Sequence, residues 1–185
     1  TYFYVGGFFM SLAVIIILAI GLSMDAFSLS LIYGTLNLDR KVENTTSIMV
    51  GIFHFFMPII GFKLGKIILK IIKINPNIIV GGIFIILGIE MLISLKKEEQ
   101  IKLLTNLLSV ILFALTVSID SFSTGIAFGA TDTVIIIPCL IFSVISFTFT
   151  YLGLNLGKKL STTFGDISIL VGSIILIVLG IKYLL

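Results

Sequence analysis

Six long apolar runs limit the folds open to this 185-residue sequence more than any other feature. Each meets the requirement of about 20 mainly apolar residues for an α-helix to cross a bilayer. Backbone groups must be bonded internally in hydrocarbon, so we expect helices despite the many Ile and Phe residues. The sequence therefore predicts an all-α membrane protein with six transmembrane helices, at about residues 9–33, 47–72, 77–95, 104–129, 134–157 and 167–185.

Composition supports lipid as the solvent. Hydrophobic residues make up 58% of the chain and charged residues 11%, leaving more apolar surface than a soluble domain of this length can bury. Most Lys and Arg residues lie between or at the ends of the apolar runs, where lipid headgroups attract them. We therefore expect a lipid bilayer, and no nucleic acid, as the partner. No nucleotide-binding loop, metalloprotease motif or nucleophile elbow occurs, so we expect no enzyme.

Two smaller features bear on the class of protein. The single cysteine, Cys139, leaves no intramolecular disulfide and no thiolate metal cluster, and we expect it to be an apolar filler. The sequence begins at Thr1 without a basic region before the first apolar run, so we expect no cleaved signal peptide. Met10 is a candidate native start.

The sequence also repeats itself. Residues 23–28 (Ser-Met-Asp-Ala-Phe-Ser) match residues 118–123 (Ser-Ile-Asp-Ser-Phe-Ser), and Gly34 and Gly129 keep the same offset of 95 positions. Farther along, Gly-Phe-Lys-Leu-Gly-Lys at 61–66 matches Gly-Leu-Asn-Leu-Gly-Lys at 153–158. The chain therefore reads as a duplication.

Each half of the duplication holds three spans, an odd number, so the second half must enter the membrane from the opposite side. We predict a single transmembrane domain over residues 1–185, built of two inverted-topology repeats at about 9–95 and 104–185. Seven of the twelve basic residues fall on the side reached after spans one, three and five. This distribution favours a multi-pass protein of a cell membrane with both termini outside.

Asp25 and Asp120 are the strongest candidate site residues because each lies near the middle of a predicted span. An ionised carboxylate at that depth costs about 2.5–3.5 kcal/mol on insertion scales, so something must offset the cost. Hydroxyls lie one helical turn away, at Ser28, Thr116, Ser123 and Thr124. Two facing carboxylates with hydroxyls suit Mn²⁺, Mg²⁺ or Ca²⁺. The alternative is that each aspartate caps a helix break or makes an interhelical hydrogen bond.

His54 and Glu90 are further candidates for a metal or proton path. His54 lies one turn before Pro58, which cannot bond back to the His54 carbonyl, so we expect a kink and a freed cation ligand there. Glu90 lies toward the end of the third span and could be a third metal ligand, a proton carrier or a gate. Structural roles remain open for both: a histidine bonded to a neighbouring helix, and an acid reaching the interface.

Three segments carry a family resemblance: residues 21–27 (Gly-Leu-Ser-Met-Asp-Ala-Phe), 53–61 (Phe-His-Phe-Phe-Met-Pro-Ile-Ile-Gly) and 116–122 (Thr-Val-Ser-Ile-Asp-Ser-Phe). The chain resembles the MntP family of manganese efflux pumps, within the LysE exporter superfamily, over nearly its whole length. The resemblance implies export of Mn²⁺ from a bacterial cytoplasm, with Asp25 and Asp120 matching the family's intramembrane aspartates. The His54 position is commonly Gln or Glu in the family, and the Glu90 position is commonly basic.

We expect a secondary transporter that works by alternating access, with Mn²⁺ as the transported ion and no permanently bound cofactor. Burial favours the neutral carboxyl group and a bound cation favours the ionised one, so proton antiport could drive export. Two alternatives stay open: a LysE-like exporter of amino acids or other small solutes, and a non-transporting membrane protein linked to sporulation. The sequence leaves the oligomeric state open.

Overall fold

The computed structural model describes residues 2–5, 8–36, 38–71, 76–94, 107–129, 134–157 and 163–184. Within these residues, seven α-helices follow a short antiparallel hairpin. The strands are β1 (Tyr2–Val5) and β2 (Phe8–Ser11). The helices are α1 (Leu12–Gly34), α2 (Arg40–Ile71), α3 (Pro76–Ser94), α4 (Leu107–Thr116), α5 (Ile119–Gly129), α6 (Ile136–Gly157) and α7 (Thr163–Leu184).

Three of the described helices are long and apolar enough to cross a membrane: α1, residues 40–68 of α2, and α6. A fourth span results if α4 and α5 are counted together, since they form an apolar pair with a bend of 43° between them. The predicted class, a multi-pass helical membrane protein, is confirmed at this level.

The first span differs from the prediction at its start. Residues 9–11 belong to β2, which pairs with β1 from Tyr2↔Ser11 to Val5↔Phe8. Their backbone groups are bonded across the hairpin, so the helix begins only at Leu12.

The second helix begins at Arg40, seven residues before the predicted start at 47. Asp39 lies at the N-cap position, where its carbonyl oxygen accepts hydrogen bonds from the backbone N–H groups of Val42 (2.9 Å) and Glu43 (3.0 Å). Asp is among the preferred N-cap residues, which explains the early start. Pro58 lies inside this helix.

The prediction of one unbroken helix over 104–129 is wrong, because α4 ends at Thr116 and α5 begins at Ile119. Across the break, the Ser118 N–H bonds to the Leu115 carbonyl three residues back (3.2 Å), which tightens the turn. The Ser118 hydroxyl donates to the same carbonyl (3.1 Å). Serine side chains that bond to backbone carbonyls in this way compete with the helical ladder.

Glycines set the closest helix contacts. A Cβ added to Gly34 on α1 would lie 2.9 Å from the Gly157 Cα on α6, and one added to Gly65 on α2 would lie 3.0 Å from the Gly129 Cα on α5. These backbones therefore touch without intervening side chains, as small residues allow in membranes.

The same contacts give the helix directions. Phe27 meets Gly153, and seven residues later Gly34 meets Gly157, so α1 and α6 run parallel. The α2 and α5 helices are also parallel, since Phe122 meets Gly61 and Gly129 meets Gly65.

The α3–α7 pair runs in opposite directions. A Cβ on Gly81 would meet Gly180 and Leu184, whereas one on Gly180 would meet Gly81 and Ile85. The α2 and α6 helices meet at Gly51, which packs against the Ser143 carbonyl and the Phe147 Cβ.

Two buried apolar clusters fill the interior of the described bundle. The first contains Ile15, Leu18, Ala19, Leu22, Leu87, Ala127, Phe128, Ile135, Cys139, Phe142 and Leu179. The second contains Ala26, Leu29, Val50, Val110, Phe113, Ala114 and Val117. We call them cluster 1 and cluster 2.

The close α1–α6 contact predicts that Gly34→Ala destabilises the protein. The added methyl group would overlap the Leu154 carbonyl oxygen, and overpacking of this kind costs about 1–3 kcal/mol. Thermal unfolding of purified protein in detergent measures the effect. Gly82→Ala is the matched control, since a Cβ there meets no described atom within 4 Å. Equal melting temperatures for the two variants would contradict the contact.

Candidate functional site

The two predicted intramembrane aspartates come from different helices. Asp25 lies in the continuous helix α1, and Asp120 lies in the first turn of α5, directly after the break. The structure brings them close enough for their charges to interact. They therefore form an acid pair inside the helical bundle.

The environment of Asp120 follows from the helix break. Its Oδ1 accepts a hydrogen bond from the Ser121 N–H (2.6 Å), one of the donors that a helix start leaves without an intrahelical partner. The positive end of the helix dipole also favours a negative charge at this position. Asp120 Oδ2 is buried and has no hydrogen-bond partner among the described residues. One carboxylate oxygen is thus held in place while the other is available to a ligand.

His54 is fully buried on α2. Its Nδ1 bonds to the Val50 carbonyl (3.0 Å), and since a carbonyl only accepts, this nitrogen carries the proton. In the neutral ring, Nε2 is then the nitrogen with the free lone pair, and it is buried without a hydrogen-bond partner among the described residues. This is the arrangement in which a histidine binds a metal ion or accepts a proton.

Helix packing places His54 at the level of the break. Pro58, one turn later on α2, packs against Gly125 of α5, and these two helices run parallel. One turn earlier on both helices lie His54 and Ser121, the residue next to Asp120. The structure thus brings His54 to the same depth as one member of the acid pair.

The four predicted hydroxyl residues have different environments. Ser28 and Thr124 are fully buried, and the Thr124 hydroxyl has no hydrogen-bond partner among the described residues. Thr116 and Ser123 instead donate to carbonyls of their own helices, at Leu112 (2.8 Å) and Ile119 (3.2 Å). Thr116 is exposed as well, so its hydroxyl points away from the interior.

Sequence reasoning missed several buried polar groups. The hydroxyls of Ser30 and Ser121 are buried without hydrogen-bond partners among the described residues. Glu43, which the sequence placed in a loop, is only 2% exposed. Asp39 as a helix-start signal could have placed Glu43 inside α2.

The last sequence-predicted candidate is Glu90. Glu90 belongs to α3, but its side chain lies outside the described residues. No group of three or more His, Cys, Asp or Glu residues comes together in the described part of the chain. A cation bound here would need hydroxyl or carbonyl oxygens, or water, beside the carboxylates.

These features define a class: a multi-pass helical membrane protein with ionisable residues buried in its interior, as is typical of secondary transporters. The family model described as "Putative manganese efflux pump" (Mntp) matches residues 37–184.

Relatives match over almost the whole chain. "Putative manganese efflux pump MntP" from Bacillus pumilus is 36% identical, covering 91% of this chain and 92% of its own. The protein of the same name from Methanosphaera stadtmanae is 35% identical, covering 92% and 97%. A third, from Methanobrevibacter smithii, is 35% identical, covering 95% and 97%. No solved structure matches the chain. The chain belongs to the MntP family, and is thus a transporter rather than an enzyme.

Beside the acid pair, a buried hydrogen bond joins Ser23 of α1 to Ser146 of α6 (2.7 Å between the hydroxyl oxygens). Hydrogen bonds between membrane helices average about 0.6 kcal/mol in double-mutant cycles. We predict a coupling of about that size between Ser23→Ala and Ser146→Ala, measured by unfolding in detergent. Ser123→Ala combined with Ser146→Ala is the control, because Ser123 bonds to its own helix. Additive effects of Ser23→Ala and Ser146→Ala would contradict a stabilising bond.

Proposed function

We propose that this protein is a secondary transporter that exports a divalent cation, with Mn²⁺ as the leading candidate, through a site built on Asp25 and Asp120. The observation that carries the proposal is the pair of carboxylates held close enough to interact inside apolar helices. Two ionised carboxylates at this depth repel each other strongly, and a cation or a proton bound between them offsets that repulsion. The names of the relatives supply manganese and the direction of transport.

The proposed site has a ligand set suited to a hard cation. The available oxygen of Asp120 and the buried hydroxyls of Ser121 and Thr124 lie on one turn of α5. Helix ends can supply further carbonyl ligands, because the last carbonyls of a helix lack intrahelical donors. Mn²⁺ accepts such oxygen ligands together with an imidazole nitrogen, and His54 offers one.

The proposed architecture is six spans arranged as two inverted repeats, in a cell membrane, with both termini outside and as a member of the wider LysE superfamily. Paired contacts support it. The Gly34–Gly157 contact corresponds, through the sequence repeat, to the Gly129–Gly65 contact. Four residues of cluster 1 (Ile15, Leu18, Ala19, Leu22) correspond, 95 positions on, to four of cluster 2 (Val110, Phe113, Ala114, Val117).

In this scheme the two clusters close the pathway in turn on either side of the acid pair. The break at residues 117–118 is the proposed hinge, because α4 and α5 meet there with a bend of 43° and it adjoins Asp120. A proton that replaces the metal on the carboxylates would release the ion and allow return, which makes proton antiport the proposed coupling.

The central prediction concerns the acid pair. Asp25→Asn and Asp120→Asn should each reduce Mn²⁺ movement in proteoliposomes to background, because each removes a charge while keeping side-chain volume. Ser123→Ala, next to the site but bonded to its own helix, should keep wild-type transport. Elution profile and melting temperature verify that the variants fold. Wild-type rates in either Asn variant would remove that residue from the site.

A second prediction tests His54. His54→Gln should preserve transport but change the preference among Mn²⁺, Zn²⁺ and Ca²⁺, since imidazole favours the transition metals over Ca²⁺. Initial rates for the three ions in the same proteoliposomes measure the preference. If the ratios stay those of the wild type, His54 has a structural role only.

A further inference from the structure

The buried acid that sequence reasoning placed in a loop, Glu43, has no role in the site described so far. It lies on α2, 2% exposed, and its neighbours Thr46 and Ser47 on that helix are fully buried. Acids are rarely buried to this extent, so a carboxylate at this position is a feature to explain. The helix dipole stabilises an acid in the first turn whether or not that acid is buried, so it does not explain the burial of Glu43.

The surrounding hydroxyls are unequally satisfied. Ser47 donates its hydroxyl to the Glu43 carbonyl (2.9 Å). The Thr46 hydroxyl is buried and has no hydrogen-bond partner among the described residues. Such a group is costly unless water or an ion reaches it. Thr46 is therefore independent evidence that a polar ligand enters this part of the bundle.

These residues lie along one buried face of α2. Positions 43, 47, 50 and 54 recur at the three- and four-residue spacing that places side chains on one helix face, and all four are buried. His54 lies 11 positions after Glu43, which corresponds to about 16 Å along the helix axis. The face thus leads from the loop end of α2 to the depth of the acid pair.

The second half of the sequence repeat differs at the corresponding positions. Through the offset of 92 between residues 61–66 and 153–158, Glu43 and Ser47 correspond to Ile135 and Cys139, and both belong to apolar cluster 1. The two ends of the bundle are therefore chemically unlike: one has a buried acid and hydroxyls where the other is apolar.

We propose that Glu43, with the hydroxyls of Thr46 and Ser47, is a transit site that attracts divalent cations into the pathway leading to Asp25 and Asp120. This proposal rests on the transport function proposed above. With the termini outside, the loop between α1 and α2 faces the cytoplasm, from which an exporter loads its ion.

The chemistry favours passage over tight binding. A divalent cation held firmly takes about six oxygen ligands, whereas this site offers one carboxylate and two hydroxyls. A carboxylate on a low-dielectric path raises the local cation concentration and thereby the loading rate. A weak site of this kind suits a pathway, since an ion must leave as easily as it enters.

The first experiment tests access without measuring transport. Ser47→Cys and the native Cys139 occupy corresponding positions, so a small water-soluble cationic thiol reagent compares the two ends directly. We expect Ser47→Cys in a Cys139→Ser background to be modified, and Cys139 in the otherwise wild-type protein to stay unmodified. Equal labelling of the two positions, or labelling of Cys139 alone, would overturn the proposal.

The second experiment measures Mn²⁺ flux in proteoliposomes. Glu43→Gln should raise the half-saturating Mn²⁺ concentration roughly tenfold, the low end for a charged cleft, and leave the maximal rate nearly unchanged. Thr46→Val should also raise the half-saturating Mn²⁺ concentration, but by a smaller factor. The control is Asp39→Asn, which removes the same charge from an exposed residue nearby and should change nothing.

The outcomes separate this proposal from the transport function itself. A wild-type protein that moves no Mn²⁺ contradicts the transport function, while the labelling result still decides whether a polar path exists. Unchanged half-saturation in Glu43→Gln, with normal wild-type flux, refutes the transit site alone. Loss of flux at saturating Mn²⁺ also refutes it, because Glu43 would then belong to the central site. If Glu43→Gln fails to fold, Glu43→Asp with Thr46→Val makes the same test.

Discussion

Direct contact between helix backbones is the interaction on which the rest of this structure depends. In lipid there is no hydrophobic force between apolar helices, so close packing at small residues takes its place. The Gly34–Gly157 and Gly65–Gly129 contacts fix the register of α1 on α6 and of α2 on α5. That register sets the depth of Asp25 on one pair and of His54 and Asp120 on the other. A shift by one helical turn would move these groups by about 5.4 Å.

The cost of burying a carboxylate bears directly on the helix break beside Asp120. Each ionised acid at this depth loses its hydration, and an unbroken helix offers it no free backbone donor. The break between α4 and α5 supplies one, the Ser121 N–H bonded to Asp120. One oxygen of the same carboxylate nonetheless stays without a protein partner in the described structure, as do the neighbouring Ser121 and Thr124 hydroxyls. In the proposed transport site, these oxygens would complete the coordination of an ion that must bind and then leave.

The two halves of the duplication keep their packing residues and differ in their polar ones. Apolar positions of the two clusters correspond, as do the glycine contacts. By contrast, His54 corresponds to Ser146, and Glu43 corresponds to Ile135. The helix that carries Asp120 is broken, whereas the corresponding helix α1 is continuous through Asp25. Packing requires the same shapes in both halves, but the one-way transport proposed for this protein has no need of identical ends.

The sequence by itself determined the class of protein and singled out the repeated motifs and the candidate aspartates, because hydrophobic length, repeated motifs and acids within apolar runs are properties of the linear chain. Of the six predicted helices, five correspond to single helices in the structure, and most of the predicted ends of these five lie within a few residues of the observed ends. The start of α2 could have been read from the helix-start signal at Asp39, but the sequence could not determine that residues 104–129 contain a break or that Glu43 is buried. Those depend on competition between local bonds, such as the Ser118 hydroxyl with the helical ladder, and on which face of a helix meets a neighbour. Only tertiary packing decides such contests, since the free energy that settles them comes from residues far apart in the chain.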